Sequence, residues 1–400
     1  MFEFQKSCID EYLSGKHGLL NAPTGMGKTY ALALPFLLQD VLRPKKRRGL
    51  KALWITPLRA LSVDIRQAIQ DAADELETGW KVERRSGDVS SAKKKAQLSN
   101  APDCLITTPE SIHLIMATKG YERFFKHLDV VVVDEWHELL GSKRGAQVEL
   151  ALSRLKAIVP KLQIWGISAT IGNMDQAMQV LLGQQAESAV RIVSERKKEL
   201  EFKTLLPESI DKFPWAGHLG IRLLKDTLPI IKQNTSTILF TNTRSQAEIW
   251  YNRLIEECPE LIGEIAMHHG SLDKKLRAWV EQALHQGRLK AVVSTSSLDL
   301  GVDFRPVSAV IQIGSPKGIA RFVQRAGRSG HSPYEKSKVF FLPTNSMEII
   351  EALALKRSIE EGFVESRKPV IRAFDLLIQY MMTLAVSDGF DEKQLFEEVK

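Results

Sequence analysis

The sequence predicts an α/β protein: two tandem domains, each built on a mostly parallel sheet. Three observations lead there. The 400 residues exceed one ordinary core and suit two domains of roughly 100–200 residues each, with room for an appendage. Short apolar β-rich runs alternate with helical stretches, the pattern of a sheet whose two faces are both covered by helices. That alternation stops near Val193 and resumes near Thr237.

In the first half, Gly18–Leu20 leads into a glycine-rich turn, and Lys28–Gln39 reads as the helix that follows. Ala52–Thr56, Cys104–Thr107, Val130–Val133 and Gln163–Ser168 are short apolar strands. Ala146–Ile158 is amphipathic, with Leu152, Leu155 and Val159 on related faces. Residues 194–217 are charged and then aperiodic, and read as a linker with the entry to the second domain. Beyond them come strand Thr237–Phe240, helix Ser245–Glu256, strand Ile265–His268 and helix Asp273–His285. Strands Lys290–Ser294 and Ala309–Ile313 and a helix near Ile319–Ala326 follow, with Val339–Leu342 closing the sheet. From Met347 the pattern is helical, ending in the acidic run Asp391–Lys400. The expected division is 1–195, 196–345 and an accessory region over 346–400, the start of a further domain in a chain read as a fragment of a longer one.

Composition sets outer bounds. A hydrophobic fraction of 44% with 26% charged residues supplies cores and argues against disorder. Lys and Arg number 55 against 48 Asp and Glu, a net charge of +7; this suits a polyanionic partner without requiring one. Cys8, Cys104 and Cys258 are far apart with no metal-ligand spacing, which points to a reducing compartment and no structural disulfide. The N-terminus does not read as a signal peptide, and no run reaches the roughly 18 apolar residues of a membrane span. The expectation is a soluble, cytoplasmic protein.

The strongest local signal is Ala22-Pro23-Thr24-Gly25-Met26-Gly27-Lys28-Thr29. Ala22 stands where the common phosphate-loop string has its first glycine, so the bare pattern fails while its chemistry remains. Backbone N–H groups of the turn, from Thr24, Gly25 and Gly27, can surround phosphate oxygens, and the helix start adds its positive end. Lys28 should reach the β/γ-phosphates, and the Thr29 hydroxyl should hold Mg²⁺. The alternative is a plain glycine turn between strand and helix. About a hundred residues on, Val130-Val131-Val132-Val133 runs into Asp134-Glu135-Trp136-His137. Carboxylates after a four-valine strand are costly unless a cation meets them. At a parallel strand's carboxyl end they enter the crevice where such sheets bind ligands. Asp134 then holds Mg²⁺ and Glu135 orients or deprotonates the attacking water. His137 stays open between a helix-start residue and a hydrogen-bond donor between domains. With Lys28, the set points to ATP or another nucleoside triphosphate.

These strings, with Ser168-Ala169-Thr170 and Gln324-Arg325-Ala326-Gly327-Arg328-Ser329-Gly330, stand in the order seen in superfamily 2 helicases, and the chain resembles their large helicase-related DEXH family. Residues 134–145, Asp-Glu-Trp-His-Glu-Leu-Leu-Gly-Ser-Lys-Arg-Gly, look most like the bacterial DNA-ligase-associated branch. The resemblance extends to about residue 345. It implies two RecA-like domains followed by a winged-helix region, of which this chain would hold the beginning. It implies that Arg325 and Arg328 act as fingers on the γ-phosphate, with Gln324 on the nucleotide network and His137 beside the catalytic carboxylates. Gly301 and Asp303, in the run Ser294–Asp303, would lie near nucleotide and sugar, and Gln5 would read adenine with Phe2 stacked nearby. Ser168-Ala169-Thr170 would couple hydrolysis to domain movement. Backbone contacts to the nucleic acid would come from Arg59 and Thr108 in the first domain, and from Thr241, Arg244, His269, Gly270 and Thr295 in the second. The implied activity is 3′-to-5′ translocation on single-stranded or tailed duplex DNA with ATP and Mg²⁺, in DNA repair, beside ligase and nuclease partners. Two alternatives stand beside it: an RNA helicase or RNA-dependent ATPase, and a nucleotide-gated binding module that does not unwind processively. The basic clusters Arg43–Arg48, Lys93–Lys95 and Arg196–Lys198 read as solvated loops, and Trp136 as either a base-stacking or a packing residue.

Overall fold

The computed structural model describes the chain apart from residues 24, 45–47, 59–60, 170, 195–198, 207–219, 300–306 and 331–334. Thr24, Arg59, Thr170, Gly301 and Asp303 therefore lie outside the described residues. The chain divides into two compact units. The first holds 1–22, 27–195 and 366–400, and the second holds 196–365 with 23–26.

The first unit carries β1 (Gly18–Asn21), β2 (Ala52–Ile55), β3 (Val82–Arg85), β4 (Cys104–Thr107), β5 (Val130–Val133), β6 (Gln163–Ser168) and β7 (Val190–Val193). They form one sheet in the order β3-β4-β2-β5-β6-β1-β7, and every pairing is parallel. β2, β4, β5 and β6 are buried at every residue, as continuous apolar runs in a twice-covered sheet must be. The sequence reading missed β3 and β7. Both are edge strands, and Val-Glu-Arg-Arg and Val-Arg-Ile-Val carry the charges an edge tolerates.

The second unit carries β8 (Leu200–Thr204), β9 (Thr237–Phe240), β10 (Ile265–His268), β11 (Ala291–Ser294), β12 (Ala309–Ile313) and β13 (Ser337–Leu342) in the order β10-β11-β9-β12-β13-β8. All are parallel again. Here β13 is interior rather than closing, because β8 pairs alongside it from within the expected linker. Its Leu-Glu-Phe-Lys-Thr alternation is a strand signal hidden in a charged run.

Helix starts follow local chemistry. The helix Lys143–Ile158 begins three residues before the expected Ala146, since the Ser142 hydroxyl accepts the Gly145 N–H at 3.2 Å. The Thr243 hydroxyl does the same for the helix Arg244–Glu257.

The region expected as one accessory block over 346–400 is divided. The helix Ser346–Glu361 buries Ala352 and Leu355 in the second unit's core. The helices Phe374–Val386 and Glu392–Val399 place Tyr380, Leu384 and Leu395 in the first unit's core. A buried Arg154 fixes the last helix by donating to Glu398 at 2.6 Å, Glu122 at 2.7 Å and the Tyr121 hydroxyl at 2.6 Å. Among the described residues no helix is long and apolar enough to cross a membrane.

Candidate nucleotide site and nucleic-acid interface

All strands of a parallel sheet end on the same side, so loops after β1, β5 and β6, three adjacent strands of the first sheet, share one crevice. After β1, Gly25 and Gly27 take φ of 79° and 71°, a conformation natural to glycine and strained for other residues. A side chain at Gly27 would also meet Gln5 Nε2 at 2.8 Å. Lys28 and Thr29 then open the helix Lys28–Leu42, at its positive end.

After β5, Glu135 adopts a left-handed φ of 48°, a conformation a non-glycine residue holds only when its surroundings enforce it. Glu135 Oε1 lies 3.8 Å from Lys28 Nζ, which is buried and makes no hydrogen bond among the described residues. Asp134 is buried beside it. Its Oδ1 accepts the Glu135 N–H at 2.8 Å and its Oδ2 accepts the Trp54 indole N–H at 3.4 Å. Burial, then the neighbouring Glu135 charge, pushes the Asp134 carboxyl well above the usual range, against the pull of Lys28.

His137 links two of these loops. Its Nδ1 accepts the Ala169 N–H at 3.0 Å, so in the neutral ring the proton sits on Nε2. That nitrogen faces Glu135 Oε2 at 3.4 Å and Glu138 Oε1 at 3.7 Å. Burial lowers the His137 pKa against the two carboxylates. Trp136 is fully buried and donates its N–H to the Ala177 carbonyl at 2.8 Å; it is a packing residue. Among the described residues no group of three or more His, Cys, Asp or Glu could hold a metal by itself.

Gln5, expected to read adenine, is tied to the phosphate loop. Its Nε2 donates to the Gly27 carbonyl at 3.1 Å and its Oε1 accepts the Phe2 N–H at 2.8 Å. Both ends of the amide are engaged by the chain, and Gln5 braces the phosphate loop. Phe2 stacks on Phe4, with ring centres 5.8 Å apart.

Arg325 requires the larger correction. It is 1% exposed, and its guanidinium forms a fork with the Asp299 carboxylate, Nε to Oδ1 at 2.7 Å and Nη2 to Oδ2 at 3.0 Å. Nη1 donates to Gln312 Oε1 at 2.7 Å, and the cation sits 4.7 Å from the Phe240 ring centre. Reaching a phosphate would break a buried, bidentate pair, so the second unit uses Arg325 to position Asp299 rather than as a finger. Arg328, half-buried, donates to the Asp299 carbonyl at 3.0 Å. Gln324 is half-buried on the helix Ile319–Ala326. Asp299, Gln312 and Trp54 were missed. Trp54 carried a signal, since a buried indole N–H in an apolar strand needs an acceptor, and Asp299 stood in the run Ser294–Asp303 that the sequence had singled out.

The nucleic-acid candidates fall at other strand ends. Thr108 follows β4, while Thr241, His269 and Thr295 follow β9, β10 and β11, which are adjacent in the second sheet. The Thr241 hydroxyl, expected as a donor to the track, is fully buried and placed on the Ser294 and Thr243 carbonyls at 3.3 and 3.2 Å; it ties β9 to β11 instead. Thr108 is buried with its hydroxyl 3.1 Å from that of Ser111. Arg244 is exposed and pairs with Glu248 at 2.7 Å, and buried His269 approaches Glu248 at 3.7 Å. Gly270 is exposed and Thr295 half-buried.

Family models match in series along the chain: DEAD/DEAH box helicase over 2–177, helicase conserved C-terminal domain over 220–332, and the winged helix domain of large helicase-related protein over 357–400. The chain belongs to the Lhr-like family of superfamily 2 DEXH-box helicases. ATP-dependent helicase Lhr-Core protein 2 of Thermococcus barophilus is 30% identical over 99% of this chain and 48% of its own length. ATP-dependent helicase Lhr-Core of Methanocaldococcus jannaschii is 31% identical over 99% and 48%. The structure of Mycobacterium smegmatis helicase Lhr bound to ssDNA and AMP-PNP superposes with a TM-score of 0.87 at 30% identity, over all of this chain and 53% of that one. The chain thus spans about half the length of the relatives it matches.

Proposed function

We propose that the chain is the motor portion of an ATP-dependent DNA translocase and helicase that moves 3′-to-5′ on single-stranded DNA. The observation that carries this is the cluster of Lys28, Asp134, Glu135 and His137. One buried ammonium makes no hydrogen bond among the described residues, and one buried carboxyl has its charged form disfavoured. The first calls for an anion and the second for a cation, and a triphosphate with its Mg²⁺ satisfies both. Mg²⁺ would be held by Asp134 and the Thr29 hydroxyl, and would neutralise charge on the phosphate oxygens.

The residues divide the work accordingly. Backbone N–H groups around Gly25 and Gly27 and the Lys28 ammonium hold the phosphates. Glu135, kept in place by its backbone conformation and faced by His137 Nε2 at 3.4 Å, orients the attacking water and takes its proton. Arg328 stabilises charge developing on the γ-phosphate, and Gln324 joins that network; both roles rest on the family resemblance. Hydrolysis yields directed movement because successive nucleotide states bind the track differently. Arg244, Gly270 and Thr295 grip the sugar–phosphate backbone without reading sequence. A role in DNA repair beside a ligase and a nuclease is part of this proposal, supported by the resemblance of residues 134–145 to the ligase-associated branch.

Steady-state ATPase assays with matched single-stranded DNA and RNA, and strand displacement on tailed duplexes of both polarities, test this reading. Preferential stimulation by DNA and displacement from a 3′ tail are expected. Stimulation by RNA alone would replace it with an RNA-dependent ATPase, and DNA-stimulated turnover without displacement would reduce it to a nucleotide-gated binding module.

A further inference from the structure

Residues 365–367 stand outside every motif that the sequence singled out, yet each end of this short segment touches one. Within the second unit, the Glu365 carboxylate accepts the N–H groups of Ile319 and Ala320, the latter at 2.9 Å. These are the first two residues of the helix Ile319–Ala326, which leads to Arg328. A carboxylate on the free N–H groups of a helix start is a charge-assisted cap.

Within the first unit, two residues further along the chain, Arg367 is held by Asn173 on both sides of its backbone. The Asn173 Nδ2 donates to the Arg367 carbonyl and the Arg367 N–H donates to Asn173 Oδ1, each at 2.9 Å. This fixes the Arg367 main chain to the loop after β6. The guanidinium then donates to Glu138 Oε1 at 3.3 Å. Glu138 is the carboxylate that faces His137 Nε2, and the same nitrogen faces Glu135. The next residue seals the contact: a side chain at Gly141, where φ is 76°, would meet the Lys368 carbonyl at 2.6 Å.

Resting on the ATPase reading above, we propose that Glu365–Arg367 is a positioning strap for hydrolysis. Arg367 holds Glu138 and through it sets the His137–Glu135 pair, while Glu365 sets the helix that carries the chain to Arg328. Because one residue separates them, the chain itself ties the state of one group to that of the other. The segment matched as a winged helix, 357–400, contains both residues and is thereby connected to turnover without touching nucleotide. Neither residue is catalytic; both act through groups that are.

The test measures ATP turnover of the full chain with saturating single-stranded DNA in Arg367→Ala, Glu138→Ala and the double variant. Each single change should lower kcat roughly tenfold with KM for ATP within about twofold, and the double should be no worse than either single. Arg367→Lys should recover part of the loss, which a merely structural defect would not show. A two-glycine insertion after Ser366 leaves every contact available but lengthens the tie, and should lower DNA-stimulated turnover by a comparable factor. Parental kcat in Arg367→Ala, fully additive losses in the double, or parental stimulation after the insertion would each overturn the strap. Parental protein and Lys28→Ala run alongside separate the two readings: an inactive parent defeats the ATPase assignment itself, whereas an active parent with a dead Lys28→Ala and an undiminished Arg367→Ala defeats only the strap.

Discussion

Each unit buries a pair of opposite charges near the ends of its strands, and the two pairs are built differently. Lys28 and Glu135 stand 3.8 Å apart, with the lysine nitrogen making no hydrogen bond among the described residues. Arg325 and Asp299 are locked by two hydrogen bonds of 2.7 and 3.0 Å, with Gln312 and the Phe240 ring completing the guanidinium's surroundings. A buried charge locked to its partner by a bidentate pair is architecture; one held close to its counter-charge without a bond is set to receive something. The difference separates Lys28, expected on the β/γ-phosphates, from Arg325, which the resemblance had placed beside Arg328 as a finger.

Removing one partner of the locked pair has the largest predicted consequence for folding. Arg325→Ala leaves Asp299 buried with only the looser Arg321 pair at 3.7 Å and should cost up to about 3–5 kcal/mol, read as a lower midpoint in urea unfolding of the second unit. Arg325→Lys should recover little, since an ammonium cannot reproduce the fork. Arg328→Ala sharpens the contrast from the other side: turnover should fall by roughly 10²-fold with an unfolding midpoint near that of the parent. A collapse in stability equal to that of Arg325→Ala would put both arginines in the architectural class.

At the nucleic-acid candidates the same criterion separates Arg244 from Thr241. Arg244→Ala, which removes an exposed cation, should weaken single-stranded DNA binding several-fold and flatten its salt dependence by about 0.7 in the logarithmic slope. Thr241→Val, which removes a hydroxyl already committed to the chain, should cost about 1 kcal/mol of stability and leave DNA affinity unchanged in fluorescence anisotropy titrations.

A further effect, confined to alkaline pH, concerns a half-buried carboxyl. Burial on the helix Lys143–Ile158 pushes the Glu149 carboxyl up to about 7 from 4.5. A folded-state pKa raised this way means the native protein binds the proton more tightly. The associated stability is present in full below pH 4.5 and is lost as pH rises through 7. Glu149→Gln should therefore be neutral near pH 4.5 and stabilising by about 1–2 kcal/mol at pH 8, a gain visible in thermal unfolding across that range.

What the sequence disclosed follows from the range of the interactions involved. β2, β4, β5 and β6 were legible because strands buried on both faces leave uninterrupted apolar runs. β3, β7 and β8 were not, because edge strands mix charge with their apolar residues. Lys28 and the Asp134–His137 run were legible because phosphate loops and strand-end carboxylates are local strings. The fate of Arg325 depended on Asp299, 26 residues away in the chain, and that of Glu138 on Arg367, 229 residues away. No local pattern encodes such pairings, so two arginines three positions apart looked alike until the fold distinguished them. The division of the accessory region was hidden for the same reason: Leu355 and Tyr380 are both apolar helix residues, and only packing sends them to different cores.

The claim that the loosely held pair is the working one is tested most directly by Lys28→Ala, assayed for ATP turnover with saturating single-stranded DNA and for thermal unfolding on the same preparation. Turnover should fall by at least roughly 10²-fold, with the unfolding midpoint and DNA binding essentially those of the parent. Undiminished turnover in a folded Lys28→Ala protein would contradict the account.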